Sequence, residues 1–184
     1  MLFRSVNAPS KMAAGIWINA CDDLTLLANQ FMTAEHCMIV APAAGKIAAA
    51  IKSSGNWYDN GNHFGDYGWT IMPNGGKVLR CSSVGDWFGG HISDGVRLQP
   101  INGGEIDDIE FIAPKFYGDT FGGDGVRFGA GVKNVTGVGG RFAGIAGAAL
   151  HYEAGSDPSN HWTDPVFGPC GGIGANGQNI LDQR

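Results

Sequence analysis

The chain has 184 residues, 43% of them hydrophobic and only 16% charged, enough for one domain with a sizeable core. Its formal net charge is −5 and no run of Lys and Arg forms a stripe, which excludes a phosphate-binding footprint and with it a nucleic-acid partner. The 31 glycines are well above ordinary usage yet follow no triplet, which excludes collagen and leaves tight turns and close backbone packing as their reason.

In chain order, the apolar run from Met12 to Cys21 is broken by Gly15 and Asn19. It is too short to span a membrane and makes a poor secretory signal, so no membrane insertion is expected and synthesis is cytosolic by default. Asp22 to Met32, DDLTLLANQFM, spaces its apolar residues as a helix would, with acids at its start. A second, shorter helical stretch is compatible with Ala48 to Lys52. Residues 1–32 are therefore expected to be an N-terminal arm or cap.

From Thr33 to Leu150 the chain repeats itself. GDWFGG at Gly85 and DGVRL at Asp94 return as GDTFGG at Gly118 and DGVRF at Asp124, and GNWYDN at Gly55 precedes both. A second motif keeps step: PAAGKIAAAIKSSGNWY from Pro42, PNGGKVLRCSSVGDWF from Pro73 and PINGGEIDDIEF from Pro100. A weaker unit after Gly125 keeps the glycines without the proline. Within each unit apolar and polar residues alternate, as in Val96-Arg97-Leu98 and Ile109-Glu110-Phe111, and Gly-Gly, Asn-Gly and Asp-Gly mark turns. Beyond Leu150 the Pro, Gly, Ser, Asn and Asp content reads as loop, so residues 151–184 are expected to be a loop-rich C-terminal cap and tail.

Units of about 30 residues made of short strands and glycine turns predict an all-β chain. The expected fold is a short right-handed parallel β-helix with capped ends, its coils stacked at about 4.8 Å. The alternative is an antiparallel β-sandwich or jelly roll with hairpins at the Asn-Gly and Asp-Gly sites. Cys21, Cys37, Cys81 and Cys170 form no CxxC pair and read as buried thiols. If oxidised, they would allow three pairings that the sequence does not choose between.

The stretch GGDGVRFGAGVKNVTGVGGRF, with DGVRL and NGGEIDDIEFIAP before it, resembles the β-helical part of bacteriophage tailspike proteins and their pectate-lyase-like relatives. The likeness covers roughly residues 60 to 150. It implies a homotrimeric component of a phage particle, located in the virion after synthesis in the host. Such a component would meet other tail or capsid proteins and touch bacterial surface polysaccharide. The chain is shorter than such spikes usually are. A small capsid decoration protein is one alternative, and a polysaccharide lyase or hydrolase is another.

Under that resemblance the chemistry would lie in paired acids and exposed aromatics. The repeat puts Asp94 and Asp124 one coil apart, with Glu110 nearby in sequence and Asp86 and Asp119 as a second pair. Two carboxylates so close would raise one pKa, as a general acid requires. Asp before Gly is equally turn chemistry, its carboxylate bonding the local backbone. Arg97 and Arg127 would stack as an ion-pair ladder or grip an acidic sugar. Trp57 and Trp87 would stack on sugar rings, or fill a core or subunit interface. No cofactor and no metal site is expected: His151 and His161 lack a ligand spacing, and no nucleophile motif or phosphate-cradling loop is present.

Overall fold

Alternating apolar and polar runs of two to eight residues, separated by corners rich in glycine, Asx and proline, form the parallel strands of the computed structural model. The structure describes residues 12–32, 34–59, 67–91, 93–121, 123–170 and 179–184. The strands assemble into three sheets. Sheet A contains β1 (Met12–Ile18), β4 (Ala34–Val40), β7 (Tyr67–Ile71), β10 (Val96–Leu98), β13 (Val126–Phe128), β16 (Leu150–Tyr152) and β19 (Ile180–Asp182), paired in that order. Sheet B contains β2 (Cys21–Leu27), β5 (Ile47–Ser54), β8 (Lys77–Val84), β11 (Glu105–Ile112), β14 (Val132–Val138) and β17 (His161–Thr163). Sheet C contains β3 (Gln30–Met32), β6 (Trp57–Asp59), β9 (Trp87–Gly89), β12 (Lys115–Phe121), β15 (Arg141–Ile145) and β18 (Val166–Phe167). The chain visits A, B and C in turn and then returns to A one layer on, with every strand pair parallel. This is the expected parallel β-helix, and parallel pairing is incompatible with a hairpin-built sandwich.

Because parallel pairing places each residue over its counterpart, like side chains stack. The second residue of the sheet C strands is aromatic in every layer. Phe31, Tyr58, Phe88, Phe116, Phe142 and Phe167 form a vertical pile with ring centroids 5.0, 5.3, 4.7, 4.7 and 5.9 Å apart. Against it packs an apolar ladder from sheet A. Met38, Trp69, Val96, Val126 and Leu150 lie in register and are buried. From sheet B, Ala48, Val78, Ile106 and Val132 close the interior.

The corner between sheets B and C explains the repeated glycine. Ala28, Gly55, Gly85, Ala113, Gly139 and Asp164 occupy equivalent positions and all have positive φ, between 48° and 64°. Each of the first five donates its N–H to the next layer, for example Gly55 to Val84 O at 3.0 Å and Ala113 to Val138 O at 2.9 Å. A Cβ at Gly55, Gly85 or Gly139 would meet nothing within 4 Å. The demand for glycine at this corner is therefore a demand for the left-handed backbone and nothing else. A second set of positive-φ residues, Asp23, Ala50, Arg80, Asp108 and Asn134, bends sheet B once per layer where the ladder skips a residue.

Three expectations change. Asp22 to Met32 is not a helix: it forms β2 and β3, with Asp23 and Ala28 at positive φ. Pairing of Cys21 to Leu27 with Ala48 to Ser54 overrides the helical spacing, and it makes Ala48–Lys52 part of a strand too. The segment after Leu150 is not simply loop, since β16, β17 and β18 add another layer. The two copies of GDxFGG also do not superpose. Trp87 pairs with Lys115 and Phe88 with Phe116, so Gly85–Asp86 lies over Ala113–Pro114, whereas Val96 pairs with Val126 as the repeat requires. From the paired positions Gly89 and Tyr117 to the paired positions Val96 and Val126, the chain takes two residues more in the later layer, so the letters slip there and come back into phase at Asp94 and Asp124.

Removing the strain at this corner should stabilise the chain. Ala113→Gly is expected to raise, and Gly85→Ala to lower, the unfolding free energy by about 1 kcal/mol. Paired denaturant titrations measure both, and a Gly85→Ala chain as stable as the parent would contradict the backbone account.

Candidate ligand-binding site

The expected acid stack is present but buried. Asp94 and Asp124 sit at the corner entering sheet A, 3% and 7% exposed. The Asp124 N–H donates to Asp94 Oδ1 at 2.9 Å, and the Ala148 N–H donates to Asp124 Oδ1 at 2.8 Å. His151 Nδ1 lies 2.6 Å from Asp124 Oδ2. Each carboxylate thus accepts from a backbone N–H of the following layer and not from its own turn, so the local turn bonding expected of Asp-Gly is replaced by bonding between layers. Burial pushes the Asp94 carboxyl above its ordinary pKa, and the neighbouring Asp124 adds to this. The Asp124 N–H and the charges of Arg127 and Arg97 work against it. Glu110 is exposed on sheet B, in register with Ser82 and Thr136, so it belongs to a different sheet from the two aspartates.

Arg97 and Arg127 are paired in register on sheet A, as the repeat predicts. Both are engaged. Arg127 Nε donates to Glu153 Oε1 at 2.6 Å, while Arg97 donates to Gln99 Oε1 at 2.7 Å and to the Tyr67 hydroxyl at 2.9 Å. Among the described residues, no three His, Cys, Asp or Glu side chains converge on one point. Cys37 and Cys81 are buried and Cys21 and Cys170 half-buried.

The outward face of sheet C is different. Its first positions run Gln30, Trp57, Trp87, Lys115, Arg141, Val166, one per layer. Trp57 and Trp87 stack with centroids 5.4 Å apart, and Trp57 is 47% exposed. Trp87 meets Tyr117 at 5.7 Å and a 52° tilt. Gly89 makes this possible: a Cβ there would fall 2.7 Å from Trp87 Nε1, so only glycine lets the indole lie over its own strand. Below Trp87 the wall opens into a shallow groove of about 290 Å³, lined by Trp87, Lys115, Phe116, Tyr117 and Arg141. Aromatic walls with two cations at one end form a surface suited to a flat, partly apolar, hydrogen-bonding ligand.

The sequence reading reached Trp57 and Trp87 but not Lys115, Tyr117 or Arg141. The signal for these lay in the inward Phe of Trp87-Phe88 and Lys115-Phe116, which aligns the strands. The more visible glycine motif masks it.

The second acid pair is half outside view, because the Asp119 side chain lies outside the described residues. Asp86 is fully buried. It accepts from the Asn56 N–H at 2.7 Å and from the Ser83 hydroxyl at 2.7 Å, and Asn56 in turn accepts from the Asn29 N–H at 2.7 Å. Burial pushes the Asp86 carboxyl above its ordinary 3.8, against those hydrogen bonds. A folded-state pKa above the unfolded value means the folded chain holds a proton that the unfolded chain releases. Asp86 therefore favours folding most below pH 3.8, and that contribution is lost as pH rises through its folded value. Asp86→Asn, matching Asn56 one layer away, should melt a few degrees above the parent at pH 7, as about 1 kcal/mol would produce in a chain of this size. That advantage should shrink towards pH 3. Melting curves across pH check it, and an advantage independent of pH would refute the assignment to Asp86 ionisation.

No family model, no curated protein and no solved structure matches the chain.

Proposed function

We propose that the chain is a non-catalytic glycan-binding protein, a surface-attachment component of a bacteriophage particle, and that it holds bacterial surface polysaccharide on the outward face of sheet C. The observation that carries this reading is the run of Trp57, Trp87 and Tyr117, exposed at Trp57 and Tyr117 and half-buried at Trp87, beside a groove that ends in two cations. Exposed aromatic area of this size is costly to leave in water and gains by covering the C–H faces of sugar rings. Glycoside hydrolysis by the usual route would need two carboxylates facing one substrate. Asp94 and Asp124 instead spend their oxygens on Asp124 N, Ala148 N and His151, and Glu110 stands on another sheet.

The phage setting and the homotrimer rest on the likeness of the glycine-bounded ladders to tailspike β-helices. One surface feature agrees with self-association. Leu27, Val84 and Val138 stand in one ladder at the end of the sheet B strands, 66%, 38% and 47% exposed.

Binding to a panel of bacterial surface polysaccharides, followed by tryptophan fluorescence, tests the site. Trp87→Ala and Tyr117→Ala should each weaken binding at least tenfold, about 1.4 kcal/mol, without changing the melting temperature of the coil by a similar energy. Full affinity in both variants would refute the assignment. Light scattering of the purified chain should give three times the 19.3 kDa chain mass, and Val138→Glu should lower it. A monomer would refute the trimer.

A further inference from the structure

Lys115 and Arg141 are first-position residues of adjacent strands, β12 and β15, and are directly opposed in register. Strands in a parallel sheet are about 4.8 Å apart, and like charges placed opposite one another destabilise the pair. Many other cations on the described chain have partners. Lys52 pairs with Asp23, Lys77 and Lys133 share Glu105, Arg127 takes Glu153, and Arg184 takes Asp182. Arg97, stacked on Arg127, is occupied by Gln99 and Tyr67. Among the described residues, neither Lys115 nor Arg141 has an ion pair or side-chain hydrogen bond. Trp87 precedes them in the ladder and Val166 follows, neither offering a carboxylate. The acid in the neighbouring ladder, Asp59, is two strands away from Lys115 on β6. Both cations line the same groove as Trp87 and Tyr117.

We propose that this groove takes an anionic glycan, with a carboxylate, sulfate or phosphate of the sugar bound between Lys115 and Arg141 while its ring lies on Trp87 and Tyr117. This rests on the glycan reading above and names the substrate class of that same site. The uncompensated like-charge pair is relieved when an anion enters. Lys115 supplies a point charge and Arg141 a fork that bonds two oxygens at once. One strand spacing separates the aromatic wall at Trp87 from Lys115 and a second separates Lys115 from Arg141, so a substituent one ring-width along the chain from the stacked sugar reaches the pair. The protein carries a net charge of −5, which would repel a polyanion at long range. Local recognition at the groove must therefore supply the attraction.

The test titrates the whole chain with alginate, dextran sulfate and neutral dextran at low and high salt, reading Trp fluorescence and heat. It compares the parent with Lys115→Gln, Arg141→Gln, their combination, Arg141→Lys and Trp87→Ala, with folding checked by circular dichroism. At least one polyanion should bind tenfold or more tighter than dextran. That preference should fall with salt, disappear in the double variant and return partly in Arg141→Lys. Comparison of alginate with dextran sulfate separates carboxylate from sulfate as the bound group. Equal binding of dextran and polyanions, unchanged in the double variant but lost in Trp87→Ala, overturns the anion inference and leaves the glycan reading standing. Polyanion binding lost in the double variant but kept in Trp87→Ala supports the cation pair and overturns the stacking role. No response to any polyanion, with sulfate ion also leaving Trp fluorescence unchanged, overturns it outright.

Discussion

Parallel in-register pairing is the constraint from which the rest of this molecule follows. Once β6 lies on β9 with Trp57 over Trp87 and Tyr58 over Phe88, no side chain can choose its neighbour freely. It meets whatever stands at the same position one layer on. Inside the column this rewards uniformity, and the six-ring pile from Phe31 to Phe167 is the result. Stacked rings at these separations gain beyond their buried area, and the gain repeats in every layer. Outside the column the same rule turns each surface position into a vertical stripe, so a chemical character repeated in sequence becomes a continuous face in space.

Polar residues at the corners obey that rule as well. Buried amides at a corner need partners, and side chains from the adjacent layer supply them. Asp86 serves Asn56, and Asn56 serves Asn29. Asp94 serves Asp124, and Asp124 serves Ala148. The ladder of amide acceptors at the corner between sheets B and C ends where Pro114 follows Asp86, a residue with no N–H to satisfy. Buried carboxylates are costly in such a role compared with asparagine. That cost appears as the upward pull on the Asp86 and Asp94 carboxyls. Acids that look like a catalytic pair when laid out by repeat number are here part of the backbone's hydrogen bonding.

The three faces carry different chemistry because each draws on a different position of the coil. On sheet A, Arg97 bonds Tyr67 and Arg127 pairs with Glu153, and sheet B carries a chain of ion pairs through Glu105 and Asp107. Sheet C presents aromatic rings and two cations whose charges nothing on the described chain answers. A face whose own bonding is complete has little to offer a ligand, whereas the sheet C strip exposes apolar area and uncompensated charge together. The proposed function is assigned to it for that reason.

Much of the architecture was legible in the letters. Alternation in Val96-Arg97-Leu98 and Val126-Arg127-Phe128 marked strands, and the phase of Pro42, Pro73 and Pro100 announced stacked layers. The sequence by itself determined that the repeat is built of strands and corners, that Trp57 lies beside Trp87, and that Asp94 lies beside Asp124, because these pairs are set by coil length where the connections match. Tertiary structure alone decided that Leu24 to Met32 is strand, since pairing with Ile51 to Asp59 outweighs a local helical spacing. It also decided that Trp87 stands over Lys115, because connections of unequal length slip the sequence copies out of phase and only hydrogen-bonded register brings them back. Burial of Asp94 and Asp124, and exposure of Trp57, were decided there too. A repeat specifies which residues are neighbours along the column, but whether a neighbour faces the core or the solvent depends on how the three sheets close around it.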